Sequence, residues 1–220
     1  ALLRAKREFV TIASHQLRTP LTGINWAWET LASEPLTAEQ QNLVRTGREA
    51  SMNLLRIVED LLQTAQIEEG KFGYQFTEVD IVGLARELVA EREVAAQSRG
   101  LKLYFDSPKE PKIALMADRD KLGIALANLI DNAIKYNVPG GEITVTLERV
   151  TEKPYVQISV KDTGLGISPE TLPKLFTKFF RGEEIKEAQV NGSGLGLYIV
   201  KNIIRRHGGA IWAESTPRRG

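Results

Sequence analysis

Residues 125–137 read ALANLIDNAIKYN, and this stretch decides how the second half of the chain is organised. At 100° per residue, with Asn128 at zero, Asp131, Asn132 and Lys135 fall within about 60° of it, while Leu122, Leu126, Leu129, Ile130 and Ala133 lie at about 100–200°. A helix from about Arg119 to Tyr136 is therefore polar on one face and core on the other. Asparagine is a weak helix former, so two of them four residues apart lower helix stability by a few tenths of a kcal/mol each. An ordinary solvated face would explain the pattern. So would chemistry, because an amide oxygen can coordinate Mg2+ beside phosphate oxygens while Lys135 supplies charge.

Downstream, VPGGE (138–142) reads as a turn, and EITVTLERV (142–150) and YVQISVKD (155–162) alternate as a hairpin about Lys153 and Pro154. DTGLGI, Asp162 to Ile167, follows the second strand directly. Gly164 and Gly166 permit a sharp reversal or close approach to a flat ligand, and Asp162 is an acceptor able to read an exocyclic amine. About 30 residues rich in Gly, Pro and charge then run to Gly192, broken by the apolar TLPKLFTKFF (171–180); a loop that long in a compact domain is usually functional. NGSGLGLYIV (191–200) sets Gly192, Gly194 and Gly196 before a helix from about Leu195 to Arg206, whose amide-rich start favours anions. A dinucleotide fingerprint fits poorly, since Leu197 stands where its third glycine belongs. His207, Gly208 and Gly209 close the helix, with His207 expected as a cap at the negative end of the dipole, and AIWAES (210–215) is expected as a strand.

Upstream, YQFTEVD (74–80) alternates like a strand, Asp80 is placed to cap a helix to about Arg99, and LKLYFD (101–106) and KIALMAD (112–118) read as short strands. Residues 70–220 are thus expected to form an α+β domain with helices on one face of a mostly antiparallel sheet.

Residues 1–69 differ. Helix formers dominate to about Ser33, interrupted by Pro20, and Thr37 with Gln40 makes a capping box that opens a second helix running to Gly70. Within it Leu43, Gly47, Ala50, Leu54, Ile57 and Leu61 recur as a heptad seam. Two helices cover little apolar surface, so a dimeric four-helix bundle is the expected way to complete this core. In FVTIASHQLRTPLT (9–22), helical angles turn His15 away from the apolar stripe. Pro20 removes a hydrogen bond to the Gln16 carbonyl and bends the helix within a turn of His15, at a cost of about 3 kcal/mol in a helix interior. A surface imidazole explains this site; so does a nucleophile presenting an unprotonated nitrogen.

Composition excludes much. With 29 Lys and Arg against 28 Asp and Glu the net charge is +1, so no global basic field calls for nucleic acid. Zero Cys removes disulfides, thiolate metal sites and a Cys nucleophile, and two His make a His-rich metal centre improbable. No apolar run approaches the roughly 18 residues that span a bilayer, and no signal peptide opens the chain, so this segment is expected to be soluble and free of membrane contact. The helix at its start suggests an excerpt of something longer.

Taken in order, these segments resemble the bacterial sensor histidine kinases over nearly the whole chain. SHQLRTP (14–20) is similar to the H box, NLIDNAIKYN (128–137) to the N box, DTGLGI to the G1 box, LFTKFFRG (175–182) to the F box and GSGLGLYIV (192–200) to the G2 box. The resemblance implies a dimeric helical hairpin joined to a Bergerat-type ATP-binding α/β sandwich. It implies ATP-dependent phosphorylation of His15, transfer to an aspartate of a response-regulator receiver, and a cytoplasmic location, with room in the parent for a membrane sensor ahead of this segment. By the same resemblance Asn132 would ligate Mg2+, Asn128 would support the phosphate end and Lys135 would contact phosphate. Tyr136 would line the adenine pocket, Asp162 would bind the adenine amino group, and Gly164 and Gly166 would let the base approach. Residues from about Ser168 to Asn191 would form the ATP lid, with Phe179, Phe180 and Arg181 in its F-box part, and with Gly192, Gly194, Gly196 and Leu197 at its hinge and phosphate side. Thr19, four residues after the His, would orient water for phosphatase activity toward the regulator.

Two departures stand out. The family commonly has an acidic residue after the His, where Gln16 stands here; an amide oxygen can orient the Nδ1–H but cannot take up its proton. A final strand also usually follows a sequence like STPRRG (215–220). Two further readings stay open: an ATP-hydrolysing clamp of the same nucleotide-binding fold, and a non-catalytic nucleotide-binding dimeric scaffold.

Overall fold

The computed structural model describes residues 2–150, 153–182, 192–217 and 219–220, with residues 2–15 described as backbone. It divides into two compact units: residues 1–73 with 191–195, and residues 74–190 with 196–220.

The first unit is a helical hairpin of α1 (Leu2–Ala32) and α2 (Ala38–Glu68). The capping box forms as expected: the Gln40 amide donates to Thr37 Oγ1 at 3.3 Å and the Thr37 amide to Gln40 Oε1 at 2.9 Å. This satisfies two of the donors orphaned at the start of α2. Pro20 lies inside α1, which remains one helix through it. The two helices pack along Leu21 of α1 and Ser51, Val58, Leu62 and Ala65 of α2, with Ser51 Oγ donating to Asn25 Oδ1 in the seam. Gly47 is required there, because a Cβ on it would lie 2.6 Å from Cη2 of Trp28.

The contact stripe corrects the expected seam. Gly47 faces α1, but Ala50 is exposed, as are Leu43 at 64% and Leu54 at 46%. On α1 Leu17, Ile24 and Leu31, spaced by seven, are exposed as well. The heptad is therefore split: Gly47 packs on Trp28 of α1 and Ile57 and Leu61 are half-buried, while Leu43, Ala50 and Leu54 form an apolar stripe that the hairpin does not use on itself.

The second unit holds two small sheets. In one, β1 (Thr77–Asp80) pairs antiparallel with β3 (Ala114–Ala117). In the other the order is β2 (Lys102–Asp106), β4 (Glu142–Arg149), β5 (Val156–Asp162), with β2 parallel to β4 and β4 antiparallel to β5. The expected hairpin is therefore present, and most pairings are antiparallel. Along β4, Ile143, Val145 and Leu147 are buried while Glu142, Glu148 and Arg149 are exposed, so one face points into a core. Against it lie α3 (Ile81–Gln97), α4 (Arg119–Lys135) and α5 (Gly196–Arg206), which supply Val82, Ala85, Ile130, Ile199, Val200 and Ile203 at full burial. Asp80 caps α3 through its carboxylate on the Val82 amide.

Of the expected strands, KIALMAD keeps only Ala114–Ala117, and two others depart further. YQFTEVD becomes strand only at Thr77, because the Gln75 amide donates to Asp118 Oδ2 at 2.7 Å instead of to a neighbouring strand. AIWAES has no ladder among the described residues. Its last residue is engaged elsewhere: the Ser215 hydroxyl accepts from the Ile167 amide and donates to the Gly220 carbonyl, closing a local turn. No helix among the described residues is long and apolar enough to cross a membrane.

Candidate functional site

Helix α4 presents the polar face read from its sequence. Leu122, Leu126, Ile130 and Ala133 are buried, while Asn128, Asp131, Asn132 and Lys135 are half-buried on the other side. Asp118 caps the helix, accepting the Lys121 amide at 2.9 Å. The Asn128 Nδ2 group donates to the Ile124 carbonyl at 3.0 Å, which turns its Oδ1 away from its own helix. Asp131 is held by Arg92 of α3, whose Nε lies 2.9 Å from Oδ1. Nothing local in the sequence predicted that pair, because its members are 39 positions apart. At the C-terminal end the Lys135 ammonium lies 4.9 Å from the centroid of the Tyr136 ring.

The DTGLGI turn closes against that same end. The Leu165 amide donates to the Tyr136 carbonyl at 3.1 Å, and the Gly164 amide to Asp162 Oδ1 at 2.8 Å. Gly164 is buried, and a Cβ there would meet the Tyr136 carbonyl oxygen and would stand 2.8 Å from Asp162 Oδ1. Gly166 takes a φ of +67°, where a side chain is strained, and a Cβ would meet the Thr216 carbonyl. The two glycines are thus needed by the protein's own backbone, whatever else they admit. Burial pushes the Asp162 carboxyl above the usual carboxylate range, and the Gly164 amide only partly offsets it.

Helix α5 begins beside Asn128. A Cβ on Gly196 would lie 2.8 Å from Asn128 Oδ1, so the first residue of α5 and the N-box asparagine are in close approach. Leu197 is half-buried in the first turn. Lys178 of the F-box segment places its ammonium 4.9 Å from the Tyr198 ring centroid on the same helix. In that segment Phe180 and Arg181 are half-buried, and Phe179 is exposed with a φ of +58°, a conformation rarely adopted by a residue with a Cβ. Of the expected lid, residues 168–182 are described, with a short 3-10 turn at Leu172–Lys174, while 183–191 lie outside the described residues. Gly192 and Gly194 are half-buried and group with the first unit.

The expected phosphoacceptor segment is helical. The His15 side chain lies outside the described residues. Gln16 and Thr19 are exposed on α1, and Arg18 Nε lies 3.7 Å from Glu59 Oε1 of α2. Helical angles put Gln16 near the seam; its exposure shows that α1 turns it outward, consistent with Leu17 also being exposed at 49%.

His207 does more than cap. Its Nδ1 lies 2.8 Å from the Ile203 carbonyl, which is the C-terminal role expected, but its Nε2 accepts the Asp118 amide at 3.0 Å.

Among known proteins, residues 5–70 match the His Kinase A (phospho-acceptor) domain, and residues 117–220 match the histidine kinase-, DNA gyrase B- and HSP90-like ATPase. The chain is 33% identical over 218 residues to sensor histidine kinase WalK of Bacillus subtilis, covering 98% of this chain and 35% of that protein. Full-length ShkA solved with AMPPNP superposes with a TM-score of 0.73 at 30% identity, over 96% of this chain and 43% of that one. Histidine kinase ThkA solved with the response regulator protein TrrA gives 0.64 at 25% identity, over 96% of this chain and 58% of that one. The chain thus spans about a third to three-fifths of the length of these relatives. A phospho-acceptor hairpin followed by an ATPase unit of this type is the domain order of two-component sensor histidine kinases, and the chain belongs to that family.

Proposed function

We propose that this chain is the autophosphorylating core of a protein-histidine kinase, with residues 1–69 as the dimerisation and phosphoacceptor domain and 70–220 as the ATP-binding domain. The observation that carries the reading is the approach of three motif segments within the second unit: Asn128 to Gly196, and Tyr136 to Gly164 and Leu165.

Asp162, kept partly from water, accepts the adenine amino group, and Tyr136 flanks the base. Asn128, Lys135 and the amide-rich start of α5 at Gly196 and Leu197 face the phosphates. Gly192, Gly194, Phe179, Phe180 and Arg181 belong to the lid and its hinges. The donor chemistry suits Mg2+: Asn132 offers a hard amide oxygen, and this ion usually completes its octahedron with phosphate oxygens and water. No cluster of three or more acidic or His side chains that would make a protein-only metal cage occurs among the described residues. When bound with the nucleotide, Mg2+ neutralises charge on the phosphate oxygens.

His15 Nε2 attacks the γ-phosphorus; the N–P bond forms, the bond to the ADP oxygen breaks, and ADP leaves with the electron pair. Gln16 orients the Nδ1–H, which is later lost to water. The phosphoryl group then passes to an aspartate of a response-regulator receiver, as the ThkA–TrrA complex supports, and Thr19 orients water for the reverse hydrolysis. The unused apolar stripes on α1 and α2 support a homodimer. The unit works in the cytoplasm, where ATP is supplied.

Incubation with γ-labelled ATP should give acid-labile, alkali-stable label on the chain, abolished in His15→Gln. Label that survives this substitution overturns the assignment. Steady phosphate release without protein label would favour the ATP-hydrolysing clamp, and nucleotide binding with neither label nor release would favour the scaffold.

A further inference from the structure

His207 sits at a junction of three segments. The Asp118 backbone amide is a donor, so the Nε2 it reaches at 3.0 Å must be an acceptor, and the ring proton must be on Nδ1, which donates to the Ile203 carbonyl at 2.8 Å. The imidazole is therefore held neutral in one tautomer. Asp118 uses its two carboxylate oxygens on the Gln75 and Lys121 amides, so the same residue caps α4 and anchors the lead-in segment 74–76. Tyr74 and Phe76 of that segment lie against the imidazole, with ring centroids 5.8 Å and 5.0 Å from it.

Helices α4 and α5 run antiparallel, and they meet at two places. At the start of α4 the His207 ring accepts the Asp118 amide; midway along α4, Asn128 abuts Gly196 at the start of α5 without a bond between them. Ten residues of α4 and eleven of α5 separate the two places, about 15 Å at the helical rise. Between these points the fully buried Ile199, Val200 and Ile203 of α5 pack in the core, and the His207 bond adds one specific constraint on the register at the C-terminal end of α5. The same two helices carry the N-box asparagine and the start of α5, so their register sets how those two meet.

We propose that His207 is a positioning residue for nucleotide binding: in its neutral Nδ1–H form it pins the end of α5 to the N-cap of α4 and so keeps Asn128 and Gly196 in register about 15 Å away. The inference rests on the ATP-binding reading given above.

The test is equilibrium binding of MgATP to the whole chain, read by displacement of a fluorescent ATP analogue. Unmodified protein that fails to bind MgATP sinks the ATP reading itself. If it binds, three variants decide the inference. In His207→Gln the side-chain oxygen can accept the Asp118 amide, whereas in His207→Asn and His207→Ala no acceptor reaches it. Losing that hydrogen bond should weaken ATP binding about three- to tenfold in the Asn and Ala variants and raise KM more than it lowers kcat for His15 labelling, with Gln close to the unmodified chain. Equal affinity in all variants overturns the proposal. Should the Asn and Ala forms fail to fold, His207→Met decides beside His207→Gln: Met fills the space of the ring without an oxygen or nitrogen acceptor, and equal affinity in the two overturns the proposal.

Discussion

Asn128 Oδ1 and Gly196 are in such close approach that a single methyl group cannot be placed between them: an alanine Cβ would stand 2.8 Å from that oxygen. The N box and the start of α5 thus form one surface, and the absence of a side chain at Gly196 is a condition of it.

Gly196→Ala should therefore weaken MgATP binding while sparing the fold. The methyl must push the Asn128 amide off its bond to the Ile124 carbonyl, a loss of about 0.5–1.5 kcal/mol at the site. Titration of fluorescent nucleotide into Gly196→Ala beside Gly196→Ser checks this; unchanged affinity in both would show that the approach has no bearing on the ligand.

Asp162→Asn should separate stability from binding. Burial raises this carboxyl above its ordinary value, so the folded protein holds the proton more tightly than the unfolded chain does. The sign follows: as pH rises from the unfolded value through the raised folded value, stability falls, and above that window the penalty is complete. At neutral pH the neutral amide removes the penalty, so Tm should rise in the ligand-free protein. MgATP affinity should drop at least about tenfold if the carboxylate reads the adenine amine, since a charged hydrogen bond is lost. Thermal melts with and without nucleotide measure both.

Gly47→Ala should destabilise the hairpin. Its methyl collides with the Trp28 indole across the α1–α2 seam, and overpacking of this kind costs about 1–3 kcal/mol. Denaturation followed by Trp fluorescence should show a lower midpoint with an unchanged slope, and Trp28→Phe combined with Gly47→Ala should recover part of it. An undiminished midpoint in the single variant would mean the helices are free to part.

Gln16→Glu should speed His15 labelling, because a carboxylate can take up the Nδ1 proton that the amide can only orient. Gln16 is exposed, so the change carries little folding cost. A single-turnover labelling rate that stays the same would show that proton removal does not limit the step.

The amphipathic split of α4, the Thr37 box and the Asp80 cap were legible in the chain, because each depends on residues within about one helical turn of one another, and each motif segment was legible as a short local string. Other features were not legible. The heptad through Leu43, Ala50 and Leu54 was visible, but which stripe meets α1 depends on the fit of Trp28 over Gly47 and on the Asn25–Ser51 bond. The alternation in YQFTEVD was visible too, yet Tyr74 to Phe76 stay out of the strand because Asp118, 43 positions on, takes the Gln75 amide.

Sequence alone determined the hairpin, the helix-strand texture of the second unit and the family, since periodicity, caps and glycine placement act over a few residues. Tertiary structure decided the parallel pairing of β2 with β4, the second apolar stripe left outside the hairpin, and the tautomer of His207. That last bond joins residues 89 positions apart, and a hydrogen bond between such distant groups exists only once the fold has brought donor and acceptor together.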